Sequence, residues 1–90
     1  VRVAFVGRLE LVEPLDMNSG IARFLQRHGQ GLHHIAYQTD DLDGDLVELK
    51  ARGLELIDEI PRVGASGHRV AFLSPSSTNG VLIELVERPA

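Results

Sequence analysis

The chain has 90 residues, of which 43% are hydrophobic and 24% charged, and its formal net charge is −4. These values are typical of one small globular domain, and the absence of cysteine excludes disulfide, zinc-ribbon and thiol chemistry. A negative net charge with three Phe, one Tyr and no Trp makes nucleic acid a poor partner. No apolar run approaches the ~20 residues that a membrane helix needs. We therefore expect a soluble, cytoplasmic domain without a membrane partner.

The N-terminal third predicts two strands followed by a helix. β-Branched and alternating residues favour strands over 1–6 and 9–13, joined by a two-residue hairpin turn at Gly7–Arg8. Asn18 or Ser19 is suited to cap a helix whose apolar residues recur at helical spacing.

The remainder of the chain predicts one β-α-β-β-β unit. Its helix is capped by Asp40 or Asp41, carries a stripe of leucines and stops at Gly53. A loop is expected over 60–68 and a turn region over 74–80. The predicted strands cover residues 32–39, 54–58, 69–73 and 81–87.

Two stretches of the sequence repeat. Residues 3–5 and 70–72 both read VAF, while residues 9–13 and 83–87 read LELVE and IELVE. Each pair is a strand, a turn and a second strand, which indicates two modules related by a pseudo-twofold axis. The first module contains nothing that matches residues 31–58, so either the chain is a fragment or another chain supplies the rest. Chance similarity between two amphipathic strand pairs is the alternative.

The repeat places Glu10 and Glu84 at equivalent positions, each flanked on both sides by apolar residues. A carboxylate in such surroundings is costly unless it is paired or bound to a metal. His34 lies in the middle of a predicted strand, and neutral imidazole with carboxylates is a ligand set for Zn, Co, Mn, Ni or Fe. We therefore hypothesise a metal site made of Glu10, His34 and Glu84.

Each of these residues also has a structural interpretation. Glu84 could form a salt bridge with Arg69 across the strand pair, and Glu10 could be an edge charge that opposes aggregation. A lone histidine such as His34 is often a hydrogen-bonded structural residue. Arg62 and Arg69 flank a glycine-containing loop and could meet an anionic ligand, although loop arginines are usually only solvated.

Several motifs resemble those of the methylmalonyl-CoA epimerase family: GLHHIAY at 31–37, DDLD at 40–43, LKARG at 49–53, GVLIEL at 80–85 and LELVEPL at 9–15. That family lies in the vicinal oxygen chelate superfamily with the glyoxalases, and the resemblance covers essentially the whole chain. It implies an α+β fold of βαβββ modules, with a mixed, mostly antiparallel curved sheet. It also implies one domain over 1–90, which comprises the end hairpin of a partial first module (1–15), a connecting helix (16–30) and a complete module (31–90).

The resemblance implies a site and a reaction as well. Glu10, His34 and Glu84 match the family's ligands for a divalent metal, which could be Co, Mn, Zn or Ni. The implied reaction is epimerisation of a 2-methyl-malonyl thioester by α-proton abstraction through a metal-stabilised enolate, with an acyl-CoA as substrate. Glu84 matches either a ligand or the catalytic base.

One departure from the family keeps other functions open. The family has a further histidine ligand on its first strand, and nothing in this chain corresponds to it. Another glyoxalase-type lyase and a truncated, non-catalytic binding or assembly module are therefore the alternatives. A half-empty first module leaves an exposed sheet edge and an apolar face, so we expect a homo-oligomer.

Overall fold

A computed structural model describes residues 1–64 and 67–89 of the chain. Positions 65 and 66 of the predicted 60–68 loop, and position 90 of the predicted second module, lie outside the described residues. The chain forms two compact units, one from Val1 to His33 and one from His34 to the C-terminal end. Neither helix in the described parts of the chain is long and apolar enough to cross a bilayer.

The first unit is a β-hairpin followed by a helix. Strands β1 (Arg2–Val6) and β2 (Leu9–Glu13) pair antiparallel, and Gly7 in the turn has a φ of 58°, which glycine adopts without strain. Helix α1 (Gly20–His28) begins after Ser19, whose side chain accepts a hydrogen bond from the backbone N–H of Ala22. The predicted hairpin is confirmed. Of the two predicted cap residues, Asn18 and Ser19, the structure selects Ser19.

The second unit is a four-stranded sheet with one helix. Its elements are β3 (Ile35–Thr39), α2 (Leu42–Ala51), β4 (Arg62–Val63), β5 (Arg69–Leu73), a short 3₁₀ turn (Pro75–Ser77) and β6 (Ile83–Glu87). Strand β3 and strand β6 pair in parallel, and the other pairs are antiparallel, in the order β3-β6-β5-β4. The mixed, mostly antiparallel sheet predicted for this region is therefore confirmed.

The strand predicted over 54–58 is wrong. Among residues 1–64 and 67–89, its one ladder contact is an isolated bridge between Leu56 and Leu73. The N–H groups of Ile57 and Asp58 both donate to the carbonyl of Phe72, at 3.0 and 3.3 Å, and two donors on one acceptor interrupt a regular ladder. The paired segment next to β5 comes later, as the two-residue β4 within the predicted loop.

Helix α2 covers one face of the sheet and forms the core of this unit. Leu42 and Leu46, four residues apart on one helical face, are buried against Ala71 of β5. Asp41 caps the helix by accepting a hydrogen bond from the N–H of Gly44. A Cβ atom at position 44 would lie 2.2 Å from an Asp41 carboxylate oxygen, so the cap needs glycine there.

The sequence repeat is also a repeat of strand register. Phe5 lies directly opposite Glu10 in the first strand pair, and Phe72 lies directly opposite Glu84 in the second. An arginine precedes VAF in both copies, and Arg2 pairs with Glu13 at 2.6 Å just as Arg69 pairs with Glu87 at 2.8 Å. Such agreement in side-chain pairing argues against chance similarity.

Candidate metal and substrate site

His34 and Glu84 meet on the face of the second sheet opposite α2. Ala71 and Leu85 pack on the helix side, so their neighbours Phe72 and Glu84 point to the other side. His34 immediately precedes β3, and its approach to Glu84 follows from the parallel pairing of β3 with β6. We call this surface the His34–Glu84 face.

The contact between the two side chains is close and shielded. His34 Nε2 lies 3.1 Å from Glu84 Oε1, and the side chains are only 16% and 14% exposed. The alternative in which Glu84 pairs with Arg69 is wrong. Arg69 instead hydrogen-bonds Asp43 and Glu87, and these two bonds raise the pKa of Arg69.

Phe72 and Asp58 build the wall beside this pair, and the sequence patterns did not single out either residue. The Phe72 ring meets the His34 ring edge to face, with centroids 5.6 Å apart. The Asp58 carboxylate, 15% exposed, accepts a hydrogen bond from the Phe72 N–H at 2.9 Å and pairs with Arg62 Nε at 3.2 Å. The VAF repeat contains Phe72 and could have identified this residue from the sequence.

Arg62 completes the wall on the far side of Phe72. Its guanidinium carbon lies over the Phe72 ring, 5.0 Å from the centroid. Of the two arginines that flank the glycine-containing loop, Arg62 therefore lies beside the candidate site, while Arg69 is held by two carboxylates.

Glu10 lies in the other unit. It is half-buried on β2, opposite Phe5, whereas His34 and Glu84 belong to the second unit. Within residues 1–64 and 67–89, no group of three or more His, Cys, Asp or Glu side chains is gathered to hold a metal ion. The second unit thus brings together two of the predicted ligands, and the set of three stays a prediction.

The His34–Glu84 pair has the chemistry and the spacing of two metal ligands. Imidazole nitrogen and carboxylate oxygen bind a transition metal at about 2.1 Å, which places two adjacent octahedral ligand atoms about 3.0 Å apart. The observed separation of 3.1 Å is compatible with that value, and it is equally the length of an ordinary hydrogen bond between the two side chains. The residues present therefore fit part of a divalent metal site.

Comparison with known proteins assigns the chain to one superfamily. The profile of the Glyoxalase/Bleomycin resistance protein/Dioxygenase superfamily matches residues 3–72. An uncharacterized protein of Bacillus subtilis, YqjC, is 50% identical over 80 residues, which cover 89% of this chain and 57% of that protein. The mitochondrial methylmalonyl-CoA epimerase of Dictyostelium discoideum is 40% identical over 93 residues, which cover 98% of this chain and 56% of the relative.

A solved structure gives the same result. A methylmalonyl-CoA epimerase in complex with methylmalonyl-CoA and NH4+ superposes with a TM-score of 0.84 at 38% identity, over 90% of this chain and 56% of that one. The chain spans about half the length of the curated relatives it matches.

Proposed function

The chain belongs to the Glyoxalase/Bleomycin resistance protein/Dioxygenase superfamily, and on that premise we propose that it serves metal-dependent epimerisation of a 2-methyl-malonyl thioester. The observation that carries the proposal is the shielded His34–Glu84 contact at 3.1 Å, inside a fold shared with methylmalonyl-CoA epimerases. The proposed substrate is an acyl-CoA, because a structural relative is described in complex with methylmalonyl-CoA.

His34 and Glu84 would hold the divalent ion, and Glu10 would supply a further ligand from the first unit. The register of Glu10 opposite Phe5 supports this assignment, because it repeats that of Glu84 opposite Phe72. A bound divalent metal supplies Lewis acidity toward the oxygens of the substrate and toward a developing enolate. The metal could be Co, Mn, Zn or Ni, which imidazole and carboxylate ligands all suit.

Glu84 has a second possible role, as the base that takes the α-proton. Its Oε1 lies 3.1 Å from His34 Nε2, and its side chain is only 14% exposed. An acceptor oxygen at the wall of the site can receive a proton from a carbon acid that lies against Phe72. Glu84 then carries the proton that it removed, and protonation of the planar enolate on the opposite face, by a second acid or by water, inverts the centre.

Exchange of the substrate's α-proton tests the proposal directly. The chain, loaded with Co²⁺, is incubated with methylmalonyl-CoA in deuterated water, and deuterium at the α-carbon is followed by NMR. We expect exchange by the chain and its loss in Glu84→Gln. A Glu59→Gln variant is the matched control, because Glu59 is exposed and pairs only with Lys50 in the described structure. Absence of exchange with metal bound would overturn the proposal.

Two other functions compete on specific grounds. A non-catalytic binding or assembly module is compatible with a second unit that brings together two of the three predicted ligands. Another glyoxalase-type lyase is compatible with the superfamily, and a panel of thiol adducts and thioesters distinguishes it from an epimerase. Strong metal binding together with α-proton exchange would exclude the non-catalytic module and would favour an epimerase over a lyase.

We also propose that the chain acts as a homo-oligomer. The side chains of Val6, Leu9 and Leu11 share one face of the β1–β2 hairpin and are 59–68% exposed. The equivalent face of β5–β6 packs against α2 through Ala71 and Leu85. An apolar sheet face of this kind is stabilised by a partner.

A further inference from the structure

Two contacts hold the guanidinium of Arg62 in one position beside the candidate site. The carboxylate of Asp58 pairs with Arg62 Nε at 3.2 Å, and the guanidinium lies over the Phe72 ring at 5.0 Å. Asp58 is itself fixed, because it is only 15% exposed and accepts the Phe72 N–H at 2.9 Å. A guanidinium held in this way loses less side-chain entropy when it binds a ligand.

The N–H groups on the terminal nitrogens of Arg62 are available to donate to a ligand. A guanidinium carries five N–H groups, of which Nε supplies one. In residues 1–64 and 67–89, no acceptor takes a hydrogen bond from either Nη atom of Arg62, and its side chain is 57% exposed. A guanidinium that lies over an aromatic ring keeps N–H groups that the ring does not use, and these can donate to a planar oxyanion.

The position of Arg62 relates it to the ligand of the proposed reaction. The Phe72 ring links the two groups, since its centroid lies 5.0 Å from the Arg62 guanidinium and 5.6 Å from the His34 centroid. The carboxylates of Glu84 and Asp58 repel an anion that enters this face, so the cations beside them, the proposed divalent ion and Arg62, must offset them. Arg69 does not supply this positive charge, because it already pairs with Asp43 and Glu87.

We propose that Arg62 is an oxyanion-binding residue that receives an acid group of the ligand at the His34–Glu84 face. The oxyanion is either the free carboxylate of the malonyl-type acyl group or a phosphate of its coenzyme A carrier. The identity of the ligand rests on the proposed epimerase function, whereas the anion site itself rests on the geometry of Arg62, Asp58 and Phe72.

Binding of three thioesters to the full chain and to Arg62→Gln tests the inference and identifies the anion. Methylmalonyl-CoA carries both acid groups, propionyl-CoA lacks the carboxylate, and the methylmalonyl thioester of N-acetylcysteamine lacks the phosphates. We expect Arg62→Gln to weaken methylmalonyl-CoA binding by about 10- to 100-fold, the loss typical of a hydrogen bond to a charged group. Arg62→Lys should fall in between, because lysine keeps the charge but not the planar fork.

The three thioesters show whether Arg62 binds the acyl carboxylate or a coenzyme A phosphate. Weaker binding of the N-acetylcysteamine thioester with unchanged propionyl-CoA binding assigns Arg62 to the carboxylate, and the reverse pattern assigns it to a phosphate. Equal affinities of the variant and the parent chain for all three overturn the inference. Arg52→Gln is the matched control, since Arg52 is an exposed arginine that pairs with Glu48 on α2.

Failure of the proposed function can be distinguished from failure of this inference. If the parent chain binds none of the thioesters, the acyl-CoA assignment is wrong. Malonate and inorganic phosphate are then titrated separately while the Arg62 Nε–H resonance is followed by NMR. A saturable shift that is absent in Asp58→Asn, which loosens the arginine, supports the anion site, and no shift with either anion overturns it.

Discussion

His34 Nε2 lies 3.1 Å from Glu84 Oε1, although 50 positions separate the two residues in the chain. The contact depends on a parallel pairing of β3 with β6, in which Ala36 is the direct neighbour of Glu84. Side chains two residues apart on a strand point to the same face, so His34 reaches the carboxylate from the end of β3. Phe72 closes the other side of the pair and keeps most water away from it.

Metal affinity should depend on both members of this pair. We expect Glu84→Gln and His34→Ala to weaken Co²⁺ binding by at least about 10-fold. Loss of a residue that only hydrogen-bonds a metal ligand already lowers metal affinity by about that much, and loss of the ligand itself should lower it further. Isothermal titration and the visible absorption of bound Co²⁺ provide the measurement. Glu59→Gln should bind as the parent chain does, and an unchanged affinity in Glu84→Gln would show that Glu84 is not a ligand.

Glu10 should behave like Glu84 if the repeat in register is also a repeat in function. Glu10→Gln is expected to weaken Co²⁺ binding, because it removes one carboxylate charge from the predicted ligand set. The neighbouring Glu13→Gln should have little effect, because Glu13 is exposed and pairs with Arg2. If the two variants bind Co²⁺ equally well, Glu10 is an ordinary strand carboxylate.

Stability of the second unit should depend on the two leucines beneath its sheet. Leu46→Ala removes a side chain that is 2% exposed and should cost about 2–5 kcal/mol in the free energy of unfolding. Val47, the next residue on α2, is 72% exposed, and Val47→Ala should change stability by less than about 0.5 kcal/mol. Urea denaturation measures both values, and similar losses in the two variants would contradict this account of the core.

Self-association should depend on the exposed face of the β1–β2 hairpin. We expect the chain to sediment as an oligomer and Leu11→Glu to shift it toward monomer, because a charge on this face must lose its hydration in an interface. Val47→Glu adds the same charge at an exposed position of α2 and should leave the assembly intact. A well-folded monomer in sedimentation would rule out the oligomer.

Local sequence signals predicted most elements of the fold. The hairpin turn at Gly7 and the strand Arg69–Leu73 follow from short-range rules, because the residues that decide them are neighbours in the chain. The same rules predicted each helix cap to within two residues, and the structure selects Ser19 and Asp41. The segment 54–58 shows where such rules fail. Its composition favours a strand, but two of its N–H groups, those of Ile57 and Asp58, donate to one carbonyl of Phe72, which lies far away in the sequence.

The sequence by itself determined which residues are the candidates for chemistry. Glu10 and Glu84 stand out because a carboxylate within an apolar strand needs a partner, and the repeat relates the two through the order of amino acids alone. His34 stands out because imidazole with carboxylates is a metal-ligand set. Only the tertiary structure decided what surrounds them. Sheet pairing brings His34 to Glu84 and inserts Phe72 beside both, and Asp58 fixes Arg62 on the same wall. These contacts join residues from separate strands and loops, and no local pattern encodes distances between segments that only sheet pairing brings together.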